Sequence, residues 1–288
     1  MQIIAKGLNF VYNKKTKFSV KALDNVDLTI DEGDFFGIIG HTGSGKSTFI
    51  QHLNALVPVQ EGVLKVGDYD LSANAKKDKK ALKTLRSKVG MVFQYPEYQL
   101  FEDTVFKDVA FGFSNFFPQA SKRETADAVY EALSLVGLDP EKYAERSPFD
   151  LSGGQKRRVA IAGVIVTRPE ILVLDEPVAG LDPKGKRELM KLLRTLHEKE
   201  SKTIIIVSHD MDEVAENCNK VAVFSEGKIV RKGTPKDVFS DAEEIKKLRL
   251  DLPLTGYLCQ TLKSKGVNVD CDLTEEDFIR KIQEIKRG

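Results

Sequence analysis

Cysteine, net charge and long apolar runs are all scarce in this 288-residue chain. The three cysteines, Cys218, Cys259 and Cys271, are odd in number and lack metal-ligand spacing. They fit a reducing compartment, where each serves most simply as a small packed residue. The 44 Lys and Arg against 43 Asp and Glu leave a net charge of +1, so no basic field points to nucleic acid as a partner. No apolar run approaches the ~18 residues that a membrane helix needs. Met1 to Tyr12 alternates like a strand and does not read as a signal peptide. A soluble, cytoplasmic chain with no direct membrane span is expected, any membrane role coming through partners. Internal repeats are lacking as well. The one biased stretch is Lys76 to Lys88, with Leu82 and Leu85 at helical spacing, where a short solvated helix is expected. The remaining supply of apolar residues, 41%, suits one large domain or a domain plus an appendage.

What is present begins with Gly40 to Ser47, which read G-H-T-G-S-G-K-S directly after the apolar run Phe35–Ile39. This is P-loop spacing in its expected setting, a buried strand entering a helix, and it points to a nucleoside triphosphate with magnesium. The glycines permit backbone conformations that turn N–H groups inward around a phosphate. The following helix points its positive end at the same anion. Lys46 can reach the β- and γ-phosphates and Ser47 can offer a hydroxyl to magnesium.

Four apolar runs share one design: Phe35–Ile39 before the P-loop, Val89–Phe93 before Gln94, Ile171–Leu174 before Asp175-Glu176, and Thr203–Val207 before Ser208-His209. Continuous apolar runs suit parallel strands buried on both faces, and ligands of such sheets sit beyond the strands' carboxyl ends. All four polar ends are expected around one phosphate site. Between the second and third runs, from about Pro96 to Arg168, the pattern is helical, with Ala128, Leu133 and Val136 on one side of a helix over Thr125 to Val136. The first part of the chain reads β-rich, since Val26, Leu28 and Ile30 alternate with polar residues and Val63–Val66 precedes a turn at Gly67-Asp68. Val221–Phe224 and Lys228–Val230 form a hairpin, and Thr234-Pro235-Lys236-Asp237 opens a helix. From about Asp241 the chain turns helical without visible phosphate chemistry. A charged helix over Asp241–Leu250 stops before Pro253, Tyr257, Leu258 and Leu262 mark a second, and Phe278, Ile279, Ile282 and Ile285 stripe a third.

Asp175 closes an apolar strand and can hold magnesium through a water, while Glu176 can orient the water that attacks the γ-phosphate. Leu151-Ser152-Gly153-Gly154-Gln155 opens another helix and exposes backbone N–H groups at its positive end. Alone, Ser-Gly-Gly reads more often as a linker. Standing 23 residues before Asp175, it reads as a second anion cradle.

GHTGSGKST, Gln94, LSGGQ, ILVLDEP, AGLD and SHD stand in the order found in the nucleotide-binding subunits of ABC transporters, which the chain resembles from about Met1 to Phe239. The resemblance implies an α/β fold: a P-loop core of ABC type with an antiparallel β subdomain and a helical subdomain at about 96–168. It implies an ATPase domain over 1–240 and a helical dimerisation appendage over 241–288. It also implies a head-to-tail pair, each ATP lying between the P-loop of one subunit and the LSGGQ of the other. By resemblance Tyr12 stacks on adenine, and Gly40, His41, Thr42, Gly43, Ser44, Gly45, Lys46, Ser47 and Thr48 hold the phosphates. Gln94 joins magnesium and water to the transporter contact, and Asp175 is the magnesium-linked acid. Glu176 is the base, His209 holds the γ-phosphate and attacking water, and Asp182 communicates across the dimer. Ser152, Gly153, Gly154 and Gln155 complete the partner's site.

A narrower resemblance rests on Gln51-His52-Leu53-Asn54 after the P-loop and on Tyr95-Pro96-Glu97-Tyr98-Gln99-Leu100-Phe101 after Gln94. These look like the energy-coupling factor transporters, which import vitamins and metal ions. Intact Glu176 with Pro177 to Asp182 resembles the second of their two ATPase subunits, though Val178 departs from the more usual Thr. The implied partners are a paralogous ATPase in a heterodimer, a membrane scaffold and substrate-binding membrane subunits, with the chain peripheral at the cytoplasmic face. The ATPase of another ABC importer or exporter would share the catalysis and differ in the surface at Tyr95 to Val105. A soluble ABC protein of ribosomes or DNA would carry paired cassettes or long coiled-coil insertions. A subunit that does not turn over would not need Glu176 and His209.

Overall fold

The computed structural model describes residues 1–76, 78–200, 203–267, 269 and 273–287. Its centre is a six-stranded sheet in which the four apolar runs become β3 (Phe35–Ile39), β6 (Val89–Val92), β7 (Ile171–Asp175) and β8 (Thr203–Val207). With β9 (Lys220–Ser225) and β10 (Lys228–Gly233) the order is β10-β9-β3-β8-β7-β6, parallel except at the β10 edge. These strands are apolar throughout because both faces are covered. Alternate residues enter opposite cores, as strand geometry requires: Phe36 and Ile38 join one, Phe35 and Ile39 the other.

The first core is closed by an antiparallel sheet of β1 (Ile3–Tyr12), β2 (Val20–Ile30), β4 (Glu61–Val66) and β5 (Tyr69–Asp70), in the order β2-β1-β4-β5. Helix α1 (Lys46–Leu53) sends Phe49, Ile50 and Leu53 into the same core, and Leu85 of α2 (Lys79–Lys88) joins them. Asp78 caps α2, so the Lys-rich helix starts later than Lys76, and Lys77 lies outside the described residues.

The second core is closed from β6 to β7 by a 3-10 turn at Pro96–Gln99, α3 (Val105–Phe116), α4 (Lys122–Leu135), α5 (Pro140–Tyr143), a second 3-10 turn at Pro148–Asp150, and α6 (Gly153–Ile165). Ser121 and Glu124 form a capping box that starts α4. Helix α7 (Pro183–Glu200) adds Leu189, Leu193 and Leu196. After α8 (Met211–Asn217) and the β9–β10 hairpin come α9 (Pro235–Val238), α10 (Ala242–Lys247), α11 (Leu254–Ser264) and α12 (Glu275–Arg287).

Two expectations need correction. Helix α10 ends at Lys247 rather than Leu250, because Arg249 takes a left-handed backbone (φ 58) that a helix cannot continue through. The tail's apolar stripes are half-buried at Leu258, Leu262, Phe278 and Ile282 and exposed at Tyr257, Ile279 and Ile285. Of the cysteines, Cys218 is a buried free thiol as expected, whereas Cys259 is disulfide-bonded.

Leu133 is fully buried between α4 and its neighbours, and Phe18 is exposed. Leu133→Ala is expected to cost ~2–5 kcal/mol in urea unfolding. Phe18→Ala should stay within about 0.5 kcal/mol of the parent chain.

Candidate nucleotide site

The parallel register brings the polar strand ends to one edge. Ile38 pairs with Val207, and Val207 with Asp175, so three strands end level. One row further, the Ser208 N–H donates to the Ile38 carbonyl (3.2 Å) and the Glu176 N–H to the Val207 carbonyl (2.9 Å). The chain turns off β3 at Gly40 (φ 147), where a Cβ would stand 2.2 Å from the Phe224 carbonyl oxygen; only glycine fits there. Gly45 (φ 104) is equally tight against the Ala22 carbonyl and leads into α1. Between them Gly43 has open space beside it.

Lys46 is buried, and its Nζ donates to the carbonyls of Gly40 (2.7 Å) and His41 (3.0 Å). Burial pulls its pKa down, against the opposing pull of Glu176 and Asp175. The Ser47 hydroxyl is hydrogen-bonded to Asp175, whose carboxyl is pushed up, mainly by burial. A buried ammonium, a hydroxyl and carboxylates around an open loop of backbone N–H groups fit a triphosphate with a hard cation. Tyr12, at the end of β1, lies beside this loop, its hydroxyl 3.3 Å from Thr48 Oγ1.

Glu176 stands in a left-handed backbone (φ 51), and its Oε2 is 2.6 Å from Nδ1 of the exposed His209. The two atoms are in close contact without the angles of a directed hydrogen bond. Gln94 is exposed in the bend after β6, at the same edge of the sheet. Asp182 caps α7 by accepting from the Gly185 N–H (2.7 Å).

Ser152 caps α6 in a capping box with Gln155, and a Cβ on Gly153 or Gly154 would meet nothing within 4 Å. The helix end is therefore open. Among the described residues no hydrogen bond or ion pair joins Ser152–Gln155 to Gly40–Thr48. The two cradles found in the sequence are not brought together within one chain.

Two groups escaped the sequence reading. Glu213, in the first turn of α8, is held beside the loop after β8: Ser208 Oγ donates to its Oε2 (3.5 Å), and Lys186 Nζ is 3.9 Å from its Oε1. The same Lys186 donates to Asp210 (2.8 Å), tying α7 to the loop of His209. The other group is Arg157, two residues beyond Gln155 in α6. It is buried and bonded to Glu97, Pro177 and Ala179. Neither pairing leaves a mark in a single sequence.

Residues 23–179 match the family model described as ABC transporter. The chain is 47% identical to the energy-coupling factor transporter ATP-binding protein EcfA2 of Caldanaerobacter subterraneus subsp. tengcongensis, over 100% of this chain and 99% of that protein. It is also 47% identical to the protein of the same name from Clostridioides difficile, over 100% and 99%. Among solved structures it is similar to cbiO1 of Clostridium perfringens, described as part of the ABC transporter complex cbiONQ. The TM-score is 0.74, with 38% identity over 90% of this chain and 98% of that one. It is similar as well to the ATP-binding cassette MJ0796, solved as a dimer bound to ADP and Pi: TM-score 0.70 and 30% identity, over 81% and 98%.

Burial, reinforced by the charge of Asp210, pushes the Glu213 carboxyl up from 4.5 to about 7. The folded chain therefore holds a proton that the unfolded chain releases between those values. This contribution to stability is full below pH 4.5 and is lost as pH rises toward 7. Glu213→Gln cannot ionise, so its stability should fall less across that window and exceed the parent's at pH 8. Urea unfolding at several pH values checks this, and equal pH slopes would refute it.

Proposed function

We propose that this chain, which belongs to the ABC transporter family as the ATPase motor subunit of an energy-coupling factor transporter, works through the residues at the common edge of its parallel sheet. The observation that carries this reading is the convergence of Lys46, Ser47, Asp175, Glu176 and His209 there, with Glu176 2.6 Å from His209. Tyr12 stacks on adenine, and the loop from Gly40 to Thr48 cradles the phosphates. Lys46 leaves the carbonyls of Gly40 and His41 for the β- and γ-phosphates. Ser47, Asp175 and Gln94 would hold magnesium, which supplies charge neutralisation on the phosphate oxygens when bound. Glu176 accepts the proton of the attacking water as general base, and His209 steadies that water and the γ-phosphate.

The site is completed by a second subunit. The open end of α6 at Ser152–Gln155 offers its backbone N–H groups to the γ-phosphate held by the partner, and Asp182 lies at the junction. Similarity to a cassette solved as a dimer with ADP and Pi supports this pairing. We assign 1–240 to the ATPase domain, with its helical part at about 96–168, and 241–288 to an appendage that pairs subunits through the exposed Tyr257, Ile279 and Ile285. The partner ATPase is a paralogue, and the pair serves a membrane scaffold and substrate-binding membrane subunits that import vitamins or other micronutrients. Among the described residues no helix is long and apolar enough to cross a membrane. In this reading the chain sits at the cytoplasmic face through those partners.

Glu176→Gln keeps the side chain's shape and removes the base. It should retain ATP binding, trap the closed dimer and lower kcat by ~10²-fold or more in the assembled complex. Hydrolysis at the parent rate would exclude Glu176 as the base. Substitutions at the exposed Gln99 and Phe101, beside the exposed Tyr98, should abolish uptake in cells while leaving ATP binding unchanged, because this segment meets the membrane partner. Unaltered uptake would remove that role.

A further inference from the structure

Arg157 carries a charge into the interior. It lies in the first turns of α6, three residues after Gly154, and its side chain is only 3% exposed. A buried guanidinium is tolerated only where its donors are met. Here Nε and Nη2 donate to the two carboxylate oxygens of Glu97, at 3.0 and 2.7 Å. Nη1 donates to the carbonyls of Pro177 (3.0 Å) and Ala179 (2.9 Å). Three segments remote in sequence thus meet on one side chain: the partner-facing turn after Gln94, the helix opened by Ser152–Gln155, and the turn between Glu176 and Asp182.

The last of these turns needs outside support. Glu176 holds a left-handed backbone that costs a non-glycine residue energy. Within the turn the Ala179 N–H donates to the Glu176 carbonyl at 3.2 Å, and the Leu181 N–H to the Val178 carbonyl at 3.1 Å. The carbonyls of Pro177 and Ala179 point to Arg157 instead. The same two segments run close together at a second place, where a Cβ added to Gly180 would lie 3.5 Å from the Tyr95 ring.

We propose that Arg157 and Glu97 are a positioning pair for ATP hydrolysis. They fix the turn that carries Glu176 and Asp182 against the segment 95–101, so that a displacement of that segment moves the base. The two-pronged contact makes this specific: a guanidinium and a carboxylate that share two parallel hydrogen bonds resist rotation as well as separation. A lysine keeps the charge and loses the fork. The proposal rests on the roles given above to Glu176 and Asp182.

The test is steady-state ATPase activity of the purified, assembled transporter carrying Arg157→Lys, Glu97→Gln or Glu97→Asp, with Glu176→Gln measured beside them. Misplacing a catalytic group by about 1 Å costs up to ~10²-fold. Arg157→Lys and Glu97→Gln should therefore lower kcat by ~10-fold or more while KM for ATP stays within about two-fold, because the phosphate cradle is untouched. Glu97→Asp, which keeps the ion pair, should recover part of the loss. Unchanged kcat in Arg157→Lys and Glu97→Gln overturns the proposal, as does a parallel change of kcat, KM and thermal midpoint, the mark of a merely structural pair. If Arg157→Lys fails to assemble, Glu97→Gln carries the same readings. Parent-level turnover by Glu176→Gln would overturn the site reading together with the pair. An inactive Glu176→Gln beside a normal Arg157→Lys would overturn the pair alone.

Discussion

The level pairing of β3, β8 and β7 is the constraint on which the site depends. Ile38, Val207 and Asp175 form one row across the three strands, and the chain breaks into loops just beyond it. A slip of one residue in any strand would send its apolar set to the wrong core, since alternate residues feed cores on opposite faces. Burial on both faces therefore fixes register, and register fixes where Lys46, Asp175, Glu176 and His209 stand. The site inherits its geometry from the packing of side chains that never touch the nucleotide.

Electrostatics at that edge are held ready for an anion and its cation. Lys46 is buried with its ammonium parked on two loop carbonyls, and Asp175 is desolvated beside Ser47. Each charged group sits where burial opposes its charge, and the neighbouring opposite charges offset only part of that cost. In the function proposed above, a triphosphate with its metal would supply the missing charges of both signs. The open helix end at Ser152 shows the same incompleteness at a second place, because its glycines face nothing within their own chain.

Much of this was legible in the sequence because its causes are local. Continuous apolar runs announced the parallel strands, and the polar residue closing each run announced the edge. Glycines at positions 40 and 45 are demanded by close backbone approach, a local need that leaves a local mark. Other features have causes that one sequence does not display. The end of α10 is set by a left-handed Arg249. The fork between Arg157 and Glu97 joins residues 60 apart, and the rise of the Glu213 carboxyl comes from burial, which needs the fold. The apolar stripe of α12 is visible in its period, yet a period does not tell that Ile279 and Ile285 face outward from this chain.

The central claim is that ATP binds at this edge with its base beside Tyr12. Photolabelling with 8-azido-ATP and magnesium, followed by peptide mapping, tests it most directly. The account predicts label on the peptide containing Tyr12, displaced by excess ATP and lost in Lys46→Ala. Label confined to another part of the chain, or retained at full level in Lys46→Ala, would contradict it.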